Sequence, residues 1–246
     1  MKKSTFFRVV LTLLCAVVLC TPLCSCSLLV DGVINSINED TATTAVRGNL
    51  DVLYHNQVNE DYLELLDVTE EELRKDYTDG LAVSAEFFSY YWAIIADYES
   101  FYALDAALQQ RIIDLMEDIT LKTQYTVKPA QSQSSGYAVQ VLIKPVDIML
   151  TASDVYDNGS YAPLAAILQE AESIDWENIS DAEYLAFCNR YGNAIVDMIE
   201  ELLPEMGYEE EKSIIIQVQE DADGYLQING DDLLNFDEKI IPYDYE

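Results

Sequence analysis

From Thr41 onward, apolar residues recur at three- and four-residue spacing. Ala42, Ala45, Val46, Leu50, Leu53 and Tyr54 fall on one side of a 3.6-residue repeat, which predicts an amphipathic helix. A short second helix is expected over 60–66. Thr69 stands three residues before Glu72, the spacing at which a hydroxyl and a carboxylate cap each other's backbone N–H groups. That box opens a longer pattern through Leu73, Tyr77, Leu81 and Phe88 to about residue 96. Another helix is expected over about 101–119.

The period then changes to two. Tyr125 and Val127, followed by Tyr137, Val139, Val141 and Ile143, alternate with smaller or polar neighbours, which predicts a hairpin whose connection is the Gln/Ser/Gly stretch between them. Pro145 and Asp147 end its second strand, and 153–160, with Asn158-Gly159 in it, reads as a loop. The second half repeats the order: a helix near 163–172, another opened by the capping box Ser180 to Glu183 and running to Leu203-Pro204, then the strand 214–218. An Asp223-Gly224 turn leads to the partner strand 225–228 and the acidic segment Asp231-Asp232. The expected fold is α+β, with helices packed on one face of an antiparallel sheet of about four strands. The repeated order suggests two halves, 41–150 and 151–246, related by duplication.

The start of the chain differs in kind. Lys2, Lys3 and Arg8 precede an apolar run from Val9 to Leu23, a pattern expected of a secretory signal over 1–25. The run is broken by Thr21 and Pro22 and falls short of the roughly 20 apolar residues a spanning helix needs. Leu23-Cys24-Ser25-Cys26 follows, and it resembles the lipobox of bacterial lipoproteins, with Leu at −3, a small residue at −1 and the acceptor thiol at +1. The resemblance implies cleavage before Cys26 and a diacylglyceryl thioether on its sulfur. In that family the freed amine is commonly acylated too, and two chains give the stable anchoring that one does not. Residues 26–40 would tether the body, 41–246, to the membrane.

Processing changes the charge. The chain carries 13 Lys and Arg against 45 Asp and Glu, a net charge of −32. Loss of residues 1–25 removes three basic and no acidic residues, so the mature charge is about −35. Phosphate backbones would be repelled, which excludes nucleic acid as a partner. Only Cys26 and Cys188 of the five cysteines would survive, which leaves no intramolecular disulfide, and Cys188 in its apolar helical stretch is read as a buried small hydrophobe.

Asp221 and Asp223 precede Gly224 as in the middle of an EF-hand or dockerin calcium loop, but Gln219 and Gly230 occupy the ends where acidic ligands belong; they are weak metal candidates, and the hairpin turn accounts for the same residues. A zinc site lacks ligands in a chain with one histidine, His55. No Gly-x-Ser-x-Gly elbow or phosphate-binding glycine loop occurs. Acidic groupings such as Asp114, Glu117 and Asp118, or Glu209-Glu210-Glu211, read as solvated faces. Phe87, Phe88, Tyr90, Tyr91, Trp92, Tyr98, Phe101 and Tyr102 are too many aromatics for one helical stripe, so some are expected outside the main core face.

The lipobox, the hairpin from Tyr125 to Ile148 and the segment from Asp223 to Leu234 together resemble uncharacterised lipoproteins of Gram-positive gut bacteria. Helices laid on a curved antiparallel sheet are also similar to the nuclear-transport-factor-like cone fold, from which two helices inserted between the hairpins depart. The lipoprotein resemblance implies an extracytoplasmic, membrane-anchored location. The function expected is a non-enzymatic binding module for an envelope protein or a glycan, with no cofactor and no catalytic residue assigned. A carboxylate-dependent hydrolase acting on glycans is the alternative.

Overall fold

The computed structural model describes residues 38–66, 68–221 and 226–244. The first periodic segment is helix α1, Glu39–His55, capped by the Asn38 side chain, which accepts from the Thr41 amide. It ends at Asn56, whose left-handed backbone closes the last turn. Helix α2, Glu60–Leu66, turns back so that Tyr62 lies over Gly48 of α1. Helix α3, Glu70–Tyr91, opens with both halves of the Thr69–Glu72 capping box formed.

The long helix expected to about residue 96 stops at Tyr91. Ala93 takes a positive φ of 52°, and the amides of Ile94 and Ile95 return to the Ser89 carbonyl, so the chain reverses. An alanine in that conformation leaves no Gly or Asn signal in the sequence. A 3-10 turn, Tyr98–Ala103, precedes α4, Ala106–Thr120, so the helix expected over 101–119 is divided at Leu104-Asp105.

The first hairpin has an edge in two pieces. Strands β1, Gln124–Val127, and β2, Gln131–Gln133, both pair antiparallel with β3, Gly136–Lys144. Val127 faces Val141 while Gln131 faces Ala138, so Lys128-Pro129-Ala130 holds one extra residue, a bulge on an edge where proline costs no ladder bond. The Ala130 amide donates instead to Thr43 of α1. The turn is shorter than the expected Gln/Ser/Gly connection, because Gln131 to Gln133 are already strand. Gly136 has a φ of 132°, and a Cβ there would meet the Val218 carbonyl at 2.3 Å.

The segment expected to be a loop at 153–160 is mostly helical: α5 spans Ile148–Asp157. Asp147 begins it without capping it, since its carboxylate accepts from the Gly207 amide. The usual N-cap signal is therefore spent on another contact. Helices α6, Ala162–Ala171, and α7, Asp181–Leu202, follow, the second with its Ser180–Glu183 capping box complete. Strands β4, Lys212–Glu220, and β5, Leu226–Ile228, complete an antiparallel sheet in the order β1-β3-β4-β5. A last helix, α8 (Gly230–Ile240), occupies the acidic segment; Asn229 caps it, and Phe236 and Ile240 enter the core one turn apart.

The fold is α+β, as the alternating periods predict. The hairpins of the two halves meet at β3 and β4 in one sheet. Val139, Val141, Ile143, Ile214, Ile216 and Val218 point to the helices and are buried. Gln140, opposite the exposed Ile215, and Thr126, opposite Leu142, stand on the other face, where no helix among the described residues covers them. Buried residues from α1 to α8 form one apolar cluster.

Candidate functional site

Cys26 and Asp223 lie outside the described residues. Asp221 is exposed at the end of β4. Among the described residues, no group of three or more His, Cys, Asp and Glu side chains converges to hold a metal ion. No helix among them is long and apolar enough to cross a membrane.

The aromatic segment divides between core and rim. Phe88, Trp92 and Phe101 are buried, while Tyr102 is 64% exposed and its hydroxyl donates to Glu86. Tyr90 and Tyr98 pack with ring centroids 5.0 Å apart across the chain reversal. Cys188 is buried, and desolvation raises its thiol pKa, which disfavours the thiolate a nucleophile needs. Of the acidic groups on α4, Glu117 accepts from the Tyr77 hydroxyl, and Asp114 and Asp118 are exposed.

His55 takes part in a polar latch between α1, β1 and α8. Its ring stacks on Tyr125, centroids 4.9 Å apart and planes 11° from parallel. Nε2 lies 3.1 Å from the Thr123 carbonyl oxygen, which can only accept, and Nδ1 faces the Tyr125 hydroxyl at 3.3 Å. That hydroxyl donates to Asp51 at 2.8 Å. Burial and the Asp51 charge push the Tyr125 pKa well up, so the phenol keeps its proton. Beside it, the Tyr54 hydroxyl donates to Asp237, and Phe236 packs edge-on against both tyrosine rings. Asp237 is exposed as a residue, yet crowding of its carboxyl raises its pKa to about 6, against the lowering effect of the Tyr54 bond. The Thr123 hydroxyl also lies 3.5 Å from Nε2 but donates to the Thr120 carbonyl at 2.8 Å, and the network as a whole holds α8 and β1 against α1.

An open groove runs along α7. Its volume is about 760 Å³, within the range of small-ligand sites. Ala182, Leu185 and Ala186 give it an apolar floor; Pro163 and Ile167 of α6 line it, as does Asp105 at the start of α4. The heptad-like spacing of 182, 185, 186, 189 and 193 places these residues on one face of α7. The polar groups are fixed by contacts within the protein. Asn189 accepts from the Asp105 amide at 2.8 Å and donates to the Leu185 carbonyl. Asn193 accepts from Arg111 at 2.6 Å, and the same guanidinium reaches Asp197 and Glu200, tying α4 to α7. Arg190 is held in a two-bond fork by Glu170 of α6. Sequence reasoning missed this groove. Its residues are an ordinary mixture of Ala, Asn and Arg, and the only signal was their recurrence along one helix.

No protein-family model matches the chain. No curated protein matches it either. Among solved structures it is similar to the crystal structure of the predicted lipoprotein YcdA from Bacillus subtilis, with a TM-score of 0.53 and 16% identity. The match covers 82% of this chain and 56% of that one, so this chain spans little more than half the length of its neighbour. At that identity the likeness establishes a shared fold.

Proposed function

We propose that this protein is an extracytoplasmic lipoprotein, held to the membrane through Cys26, whose body binds a ligand without transforming it. The observation that carries the binding reading is the α7 groove: an apolar floor bordered by the Asn189 and Asn193 amides and the Arg190 guanidinium, already oriented by neighbouring side chains. Such groups fix a ligand's orientation at little ordering cost. Of the two carboxylates that line the groove, Asp105 and Asp197, the second is committed to Arg111. The lipobox supports the anchor, and the fold neighbour's description as a predicted lipoprotein agrees with it.

The test is a titration of the purified protein in detergent with solubilised envelope fractions, with binding and turnover measured together. Saturable binding, weakened at least about tenfold when Leu185→Glu places a charge on the groove floor, is expected. Ligand consumption at a rate abolished by a single carboxylate substitution would replace the binding reading with the hydrolase.

A further inference from the structure

The uncovered face of the sheet differs from the rest of this acidic surface. Among the outward positions of the five strands there is no Asp or Glu, in a chain with 45 of them. Glutamine takes their place: seven of the chain's eleven point outward here, at positions 124, 131, 133, 140, 217, 219 and 227. The register arranges them. Gln131 stands beside Ala138 and Gln217, and Gln133 beside Gly136 and Gln219, so the small residues of β3 floor a shallow trough with glutamines along both sides. At a strand spacing of about 4.8 Å the two sides are roughly 10 Å apart. Gln227 continues the row on β5.

We infer that this trough is a docking surface for an uncharged polysaccharide of the cell wall. The charge pattern selects the occupant. A cationic partner gains most on the carboxylate-rich helical faces, and an anionic one is repelled by the whole body. A chain of hydroxyl and N-acetyl groups loses nothing by the absence of carboxylates, and a glutamine amide offers it one acceptor and up to two N–H donors, Gln140 spending one of its own on Ser213. Position agrees with this occupant. Ser132 of β2, on the helix-covered side of that strand, donates to Glu39 at the start of α1, so the chain enters the body at the β2 edge of the sheet. The 11 residues between Cys26 and Asn38 reach at most about 40 Å, which keeps the trough within the wall layer next to the membrane. The inference rests on the anchored binding reading above and adds a second surface and a ligand class.

The experiment uses the full chain in detergent micelles and chitohexaose, a neutral N-acetylated hexasaccharide, as the probe. Calorimetry is expected to give saturable binding. Gln131→Glu with Gln217→Glu removes N–H donors from both sides of the trough and should weaken it at least about tenfold. A second pair, Gln133→Glu with Gln219→Glu, should do the same, and unchanged circular dichroism and melting would establish that both pairs fold. Leu185→Glu in the groove should leave chitohexaose binding unchanged. Binding that ignores both glutamine pairs overturns the trough while leaving a binding protein. No binding of chitohexaose also overturns the inference, and the envelope titration with Leu185→Glu then decides the groove separately. Sedimentation showing a dimer that these pairs dissolve would assign the face to a second copy of the chain and overturn the glycan.

Discussion

Substituting Gly48 by alanine should destabilise the protein, although helix propensity alone predicts the opposite. An alanine in the middle of a helix is favoured over glycine by about 1 kcal/mol. At Gly48 the added methyl carbon would lie 2.2 Å from Cγ and 2.3 Å from Cδ2 of Tyr62, and 2.7 Å from its Cβ. Carbon atoms in contact sit about 3.5–4.0 Å apart, so the overlap exceeds an ångström against the root of a fully buried ring. The ring cannot swing aside cheaply, because Tyr62 is fixed by its helix and by the hydrogen bond its backbone N–H donates to the Asn59 side chain at 2.7 Å. Overpacking of this kind costs about 1–3 kcal/mol, and the severity of the overlap places it at the upper end. The net loss should be about 1–2 kcal/mol, a fall in melting temperature of about 2–8 °C for a body of this size. Denaturant titration gives the sign directly. In a Tyr62→Leu background the collision is relieved, and Gly48→Ala should become neutral or stabilising. A Gly48→Ala protein more stable than wild type, or one whose cost is the same in both backgrounds, would refute this packing.

Other outcomes follow from the same coordinates. Gly192→Ala brings a methyl within 2.9 Å of Ile94 Cγ2 and Leu108 Cδ2, a smaller overlap and against methyls instead of a ring, so it should cost less than Gly48→Ala by denaturant titration. Removing either cap, Thr69→Ala or Ser180→Ala, should lower stability by about 1 kcal/mol. Arg111→Met releases α4 from Asn193, Asp197 and Glu200; with its side chain one-third exposed, the loss should be about 0.5–1 kcal/mol and should shrink in high salt. The Asp237 carboxyl, raised to about 6 in the fold, binds its proton more tightly folded than unfolded. Its contribution to stability is therefore full below the ordinary carboxylate pKa and lost as pH rises through about 6. The stability difference between Asp237→Asn and wild type should shift in favour of the variant across that window, and a flat difference from pH 4 to 8 would contradict it.

What the sequence made legible was periodicity and capping. The alternation of Val139, Val141 and Ile143 with polar neighbours located the buried face of β3, and the boxes at Thr69 and Ser180 marked two helix starts to the residue. Where it misled, a local signal had been diverted to a tertiary contact. Asp147 spends its carboxylate on Gly207 and so does not announce α5, and Ala93 supports a left-handed turn with no glycine to mark it. The acidic Asp231-Asp232 pair concealed α8, although Asn229 as cap and Phe236 and Ile240 one turn apart were present to be read. The groove and the glutamine trough were beyond a linear reading. The first depends on α6 and α4 lining one face of α7, the second on a register that gathers four separate strands' outward positions.

The central claim is that a lipid on Cys26 holds this body outside the cell. Expression of the full chain in a Gram-positive host fed an alkyne fatty acid, followed by fractionation and intact-mass measurement, tests it directly. The account predicts a labelled chain that begins at Cys26, carries a diacylglyceryl mass and partitions with membranes, and a Cys26→Ala chain that is neither labelled nor retained there. A wild-type chain without label, cleaved at another residue and recovered from the medium, would contradict it.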